Sequence, residues 1–242
     1  MKRVFIIQAR MTSTRLPGKI LLDLDGEPML KRQLDRLKLC RTADEIIIAC
    51  TTNDADDAIV ALCAREGVRV FRGSERDVLS RYLGAARETD AAAVVRVTSD
   101  CPLICPEVCD SVVEALAASG ADYASNTLKR TYPRGLDCEA FTREALEKAA
   151  AEADSGPSRE HVTWRLHTED PGSYRLHSVE DAENHSNLRW TVDEPADLEA
   201  ARRLWTGLRL SERPLGYRDI LPYCLAHPEI SALNAAVEQK KV

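Results

Sequence analysis

Short apolar runs alternate along the first half of the chain with longer stretches in which apolar residues recur every three or four positions. Val4–Ile7, Glu45–Cys50, Val68–Phe71 and Ala93–Val97 read as strands. Met29–Leu39, Ala55–Glu66 and Asp77–Glu88 read as the helices between them. This alternation predicts an α/β fold, a doubly wound and mainly parallel sheet with right-handed crossovers. Its ligand crevice should lie at the carboxyl ends of the strands. Each strand ends there in polar residues: Gln8-Ala-Arg10, Thr51-Thr-Asn-Asp54, Arg72-Gly-Ser74 and Thr98-Ser-Asp100. Some of these have a second reading as helix caps, Asn53 or Asp54 for one helix and Ser74 or Asp77 for the next.

The pattern changes after a helix at Glu107–Ala118. Tyr123–Asn126 and Leu136–Phe141 read as strands around a basic loop with proline and glycine, a small antiparallel excursion. A helix at Arg143–Ala153 and a turn at 154–157 follow, then a helical segment from Ser158, a plausible cap, to His167. Tyr174–Val179 and Leu188–Val192 have strand character, and Asp193 precedes a helix with Pro195 in its first turn that runs through Leu204. Short helices and a charged, frayed tail are expected from Tyr217 onward. The length suits one domain, with changes of texture at about residues 122 and 206 and C-terminal helices with a tail beyond the second.

A net charge of −6 disfavours generic binding to nucleic acid or to an anionic membrane. No apolar run approaches the roughly 20 residues of a membrane span, and the N-terminus enters a strand with no signal-peptide pattern, so a cytoplasmic protein is expected. Eight cysteines contain no C-x-x-C pair, and Pro102 and Pro106 interrupt the helix that would align Cys101, Cys105 and Cys109. Reduced core thiols are expected.

Against this acidic background, Gln8-Ala-Arg-Met-Thr-Ser-Thr-Arg-Leu-Pro-Gly-Lys19 concentrates three cations in a loop after the first strand. Thr12, Ser13, Thr14 and Gly18 suit a loop whose N–H groups converge on an anion, and Arg10, Arg15 and Lys19 supply charge for a polyphosphate. A basic surface turn is the plainer alternative. The loop is not a Walker A motif, because Ile20 follows the glycine-lysine pair. Asp100 should project over the same crevice, with Asp193 as a second carboxylate. Magnesium bound to a nucleotide needs only one or two such ligands. The competing readings are a turn residue for Asp100 and an N-cap for Asp193.

Six segments in order resemble the cytidylyltransferases that activate 3-deoxy-manno-octulosonate and acylneuraminates, in the SpsF-type spore-coat polysaccharide branch. They are the segment from Ile7 to Lys19, Phe71-Arg-Gly-Ser74 with Asp77-Val-Leu79, Arg96 to Ile104, Arg134-Gly-Leu-Asp137, Arg159-Glu-His161 and Leu188 to Asp193. The resemblance implies a Rossmann-like nucleotidyltransferase fold and transfer of CMP from CTP to a keto-acid sugar with Mg2+, releasing pyrophosphate. It places Arg10, Arg15 and Lys19 on the triphosphate and Asp100 and Asp193 on the metal. Ala9, Ser13, Thr14, Thr51, Asn53 and Ser74 would line the nucleotide. Arg134, Asp137, Glu139, Arg159 and His161 would face the sugar, which makes residues 1–122 the nucleotide-binding half and 123–206 the sugar-binding and dimerisation half, with C-terminal helices and a tail at 207–242. A homodimer through residues 123–141 is also implied, with weak support from tyrosines expected to be exposed there. A glycosyltransferase of the same fold is disfavoured by the lack of an Asp-x-Asp at Asp100. A non-catalytic nucleotide-binding subunit is disfavoured because all five cation and carboxylate positions are filled.

Overall fold

The first apolar run becomes the centre of the sheet. The computed structural model describes residues 1–154 and 156–239, and within it β1 (Arg3–Gln8) is fully buried from Val4 to Ile7. A two-residue hairpin, β2 (Asp23–Leu24) and β3 (Glu27–Pro28), leads into α1 (Met29–Leu37). There follow β4 (Glu45–Thr51), α2 (Asp57–Arg65), β5 (Arg69–Gly73), α3 (Val78–Glu88), β6 (Ala93–Thr98) and α4 (Pro106–Ser119). The second half contributes β7 (Tyr123–Ser125), β8 (Glu139–Thr142), α5 (Arg143–Glu152), α6 (Gly156–Glu160) and β9 (Leu176–Ser178), then α7 (Pro195–Leu208), α8 (Tyr217–Ala226) and α9 (Pro228–Ala232).

Seven strands form one sheet in the order β5-β4-β1-β6-β8-β7-β9. The first four are mutually parallel, and β8 runs against both of its neighbours. The antiparallel pairing expected at 123–141 is therefore present inside the main sheet. Alternate residues face two cores. Phe5, Ile7, Ile48, Val95 and Val97 pack on one side with α1, α2, α4, α7 and α8. Val4, Ile6, Ile47, Val94 and Phe141 pack on the other with α3 and α5. Burial on both faces explains why these strands are continuous apolar runs. The chain order reverses between β1 and β6, and a crevice opens at such a switch point beside the strands' carboxyl ends.

Several expectations need correction. Leu188–Val192 is not a strand. It is largely buried and, among the described residues, its one bridge joins Arg189 to Arg134, while β8 already has both edges paired. Tyr123 and Tyr132 are buried, so they offer no exposed surface for a dimer. Ser158 lies within α6 and donates its hydroxyl to Glu169, and the chain beyond includes a π-helical turn at Arg165–Glu169. Asn53 makes no side-chain cap, whereas Asp77 caps α3 by accepting from the Ser80 amide at 2.8 Å. Glu194, not Asp193, is the N-cap of α7. The turn expected at 154–157 includes Ser155, and the frayed tail includes residues 240–242; these four residues lie outside the described ones. All eight cysteines are free and buried, and burial pushes the Cys63 thiol up to about 12.

Candidate active site

The loop after β1 is folded by backbone bonds that aim Lys19 inward. The Met11 carbonyl accepts from the amides of Ser13 (3.0 Å) and Gly18 (3.1 Å), and Gly18 turns the chain at φ 65°. A residue with a β-carbon is strained in that left-handed region. Buried Asp56 ties this loop to the end of β4, accepting from the Met11 amide through one oxygen and from the Thr51 amide and hydroxyl through the other.

Lys19 is the point of convergence. Its Nζ donates to the Val192 carbonyl at 2.7 Å and to Asp193 Oδ1 at 2.9 Å, and lies 3.4 Å from Asp100 Oδ2. The two carboxylates are brought together by backbone. The Asp100 carbonyl accepts from the Val192 amide (2.8 Å) and the Thr191 hydroxyl (3.2 Å), which fixes the start of α7 beside the end of β6. Trp190, stacked edge-on to Tyr217, anchors the same segment in the core. Asp193 carries three cationic partners: Lys19 and Arg15 on Oδ1, the latter at 3.0 Å, and Arg189 on Oδ2 at 3.0 Å. Burial alone would raise its pKa, and these cations outweigh burial and hold the carboxyl below the usual range. For Lys19, burial opposes the charge, but attraction to Asp100 and Asp193 wins and raises its pKa.

A cavity of about 320 Å³ opens beside this cluster, with Asp100 and Asp193 in its wall. Arg134, Asp137, Glu139 and His161 line it as well. Glu139 lies in its buried floor, fully engaged by Arg96, the Tyr123 hydroxyl (2.7 Å) and the Thr163 hydroxyl (2.6 Å). Asp137 is held by both guanidinium arms of Arg130. Glu139 and Asp137 are thus committed to arginines. Arg134 makes no side-chain hydrogen bond or ion pair among the described residues, and burial, Arg130 and Arg189 lower its pKa. Attraction to Asp137 offsets only part of this. Trp164 and His167 add an aromatic wall, and burial holds the His167 imidazole below its usual range.

The remaining expected residues divide. Ala9 is buried at the end of β1, Ser13 is half-buried, and Thr14 and Arg15 are exposed on the loop. Arg10 stands apart from the Lys19 cluster, 3.9 Å from Glu75, which also accepts from Thr12 (2.7 Å) and Asn53 (2.9 Å). Thr51 cannot present its side chain to a ligand, being fully buried and bonded to Asp56. Ser74 accepts from the Asp77 amide at the start of α3. Arg159 is outside the cavity, paired with Asp77 at 3.3 Å in a neighbouring surface depression that His161 also lines. Arg189, Arg130, Asp56 and Glu75 were absent from the expected set. Arg189 did stand inside the Leu188–Asp193 segment, one i,i+4 step from Asp193, and that spacing was the available signal.

A cytidylyltransferase family model matches residues 4–219. The chain is 38% identical to an uncharacterised protein of Methanocaldococcus jannaschii over 99% of this chain and 97% of that one. It is 33% identical to the spore coat polysaccharide biosynthesis protein SpsF of Bacillus subtilis, over 87% and 88% of the two chains. A solved cytidylyltransferase from Leptospira borgpetersenii superposes with a TM-score of 0.91 at 30% identity, both chains being covered in full. A structure of CMP:2-keto-3-deoxy-manno-octonic acid synthetase complexed with CTP shares the fold at a TM-score of 0.65 and 20% identity, covering 86% of this chain and all of that one. Among the described residues, no helix is long and apolar enough to cross a membrane. A family match over most of the chain, with a converged lysine and two carboxylates at the sheet's switch point, means that the chain belongs to the cytidylyltransferase family and is a CTP-dependent nucleotidyltransferase.

Proposed function

We propose that the protein transfers CMP from CTP to a hydroxyl of a keto-acid sugar, of the nonulosonic or octulosonic class, and releases pyrophosphate for the synthesis of a surface glycan. The observation that carries this reading is the shared ammonium of Lys19, held by Asp100 and Asp193 at the mouth of a cavity whose Arg134 has no partner among the described residues. A triphosphate entering over the loop competes for that ammonium. Movement of Lys19 from carboxylate to phosphate neutralises charge that builds on the phosphorus oxygens, and in-line attack then breaks the bond between the α-phosphorus and the pyrophosphate oxygen.

Two carboxylate groups facing one cation are an oxygen donor set that fits Mg2+, which takes its other ligands from phosphate and water. Asp100 and Asp193 would hold the ion, and it would supply Lewis-acid stabilisation of the phosphate charge. Arg15 and Arg10 are assigned to the triphosphate, with Ala9, Ser13, Thr14, Asn53 and Ser74 around the nucleotide. On the acceptor side, Arg134 suits the sugar carboxylate, and His161 with the polar cavity wall suits its hydroxyls. The homodimer implied by the resemblance and the cytoplasmic location expected from the sequence remain part of this proposal; sedimentation of the purified chain tests the first.

The decisive assay measures pyrophosphate release with each of the four nucleoside triphosphates and Mg2+, in the presence of 3-deoxy-octulosonic, neuraminic, legionaminic and pseudaminic acids. Release is expected only with CTP and one sugar acid. Release with CTP and a neutral sugar, but with none of the acids, would overturn the assignment of Arg134 and the acceptor class.

A further inference from the structure

The matched family stretch ends at residue 219, yet the chain returns to the active site after it. Beyond α9, Asn234 is buried and its side-chain amide donates to the Arg189 carbonyl at 3.0 Å and to Asp197 Oδ1 at 2.9 Å. Five residues later, Gln239 Oε1 accepts from Arg189 NH1 at 2.7 Å. The other arms of the same guanidinium reach Asp197 (2.8 and 3.0 Å) and Asp193 Oδ2 (3.0 Å). Asp197 in turn accepts the backbone amides of Asp193 and Glu194. All three nitrogens of the Arg189 guanidinium are thus used to connect the tail, the first turn of α7 and Asp193.

Gln239 also lies in the wall of the 320 Å³ cavity, and it lines a second cavity of about 340 Å³ between residues 186–189 and the C-terminal helix. Arg134 borders both spaces. Gln239 and Arg134 therefore stand on the border that the two spaces share.

We propose that residues 234–239 are a working part of the acceptor side of the active site: Asn234 and Gln239 are positioning residues that hold Arg189 on Asp193, and Gln239 closes the acceptor cavity. The inference rests on the reading of this cavity as the acceptor site. Side-chain placement within a fraction of an ångström governs such reactions, so loosening one wall acts on the acceptor before it acts on the nucleotide bound across the crevice.

The test uses the full-length protein, its Gln239→Ala variant and an Arg189→Lys variant, with CTP, Mg2+ and whichever sugar acid of the panel supports pyrophosphate release. For Gln239→Ala the acceptor KM is expected to rise about fivefold or more, with the KM for CTP within about twofold of wild type and the melting temperature unchanged. Arg189→Lys keeps the charge and loses the fork, and should lower kcat by about tenfold with CTP binding retained. Unchanged acceptor kinetics in Gln239→Ala would overturn the inference. So would equal changes for both substrates with a lower melting temperature, which mark a merely structural tail. If no acid of the panel supports turnover, the acceptor reading fails by itself, and hydrogen exchange decides the role of the tail. The Trp190 and Val192 amides, bonded to the Arg134 and Asp100 carbonyls, should exchange about threefold faster in Gln239→Ala, and unchanged exchange overturns the role.

Discussion

At the residue scale, Lys19 does two jobs that pull in different directions. In the free protein it neutralises Asp193 and Asp100, and in the proposed reaction it must leave them for phosphate. Replacing it by alanine removes a buried partner, a change that typically costs about 3–5 kcal/mol. Arg15 and Arg189 still contact Asp193, and Asp100 is partly open to water, so we expect a smaller loss of about 1–3 kcal/mol. Activity should fall by about a hundredfold or more, since a preorganised charge aimed at the reacting phosphate is lost. A chemical-denaturation curve and a turnover assay on Lys19→Ala separate the effects, and failure to fold at neutral pH would show that the arginines do not carry the remainder. The pH dependence has a definite sign. Asp193 titrates lower in the folded state than in the unfolded chain, so its contribution is complete above about pH 4 and is lost as pH falls through the folded pKa. Lys19 titrates higher when folded, so its contribution is complete below about pH 10 and is lost as pH rises through the folded pKa. Urea midpoints between pH 5 and pH 3 should therefore fall less steeply in Asp193→Asn than in wild type; parallel slopes would contradict the depressed pKa.

At the scale of elements, the segment from Leu188 to Asp193 matters most, because it carries one of the two carboxylates without being a strand or a helix. Gly135 is what lets it approach. Its φ is 102°, and a β-carbon there would lie 2.5 Å from the Thr191 nitrogen and the Trp190 carbonyl carbon. Gly135→Ala combines backbone strain with overpacking, and should cost about 2–4 kcal/mol while displacing Asp193 from Lys19. The predicted signature is a lower melting temperature together with a loss of turnover larger than the loss of CTP binding; a fully active variant would mean that the segment does not depend on this contact. The four parallel strands were legible in the sequence because burial on both faces leaves unbroken apolar runs. Leu188–Val192 has a similar texture and misled, since texture reports burial and not whether a neighbouring strand has a free edge. The site was legible in the same uneven way. Asp100 follows the end of β6 and Lys19 stands out in a cationic loop after β1, and Asp193 ends an apolar run that only resembles a strand, whereas Thr51 has the same polar character and is spent on Asp56, a partner visible only in three dimensions. Gln239 on Arg189 joins positions 50 residues apart, and no local pattern encodes it.

At the scale of the molecule, the junction between the parallel and antiparallel parts of the sheet decides whether the two sides of the site stay in register. That junction is the pairing of β6 with β8, and the ion pair of Arg96 with Glu139 closes its site-facing end. Burial favours loss of charge in both groups, yet attraction to Glu139 raises the Arg96 pKa, and Arg96, Thr163 and Tyr123 together lower that of Glu139. Arg96 also reaches Gln8 at 3.3 Å, so one guanidinium spans β1, β6 and β8. Loop and cavity therefore share a foundation. Glu139→Gln keeps the shape and an acceptor for Tyr123 and Thr163, but leaves the Arg96 charge uncompensated in the interior. The expected cost is about 3–5 kcal/mol. Because the pair ties the parallel strands to the antiparallel ones, the loss should appear as one earlier transition of the whole chain. Far-ultraviolet circular dichroism reports the sheet and helices, and tryptophan fluorescence reports Trp164, Trp190 and Trp205, all in the later half. Coincident midpoints shifted together in Glu139→Gln would confirm a single cooperative unit; separated midpoints would show that the later half melts by itself and that the β6–β8 pair does not hold the site together.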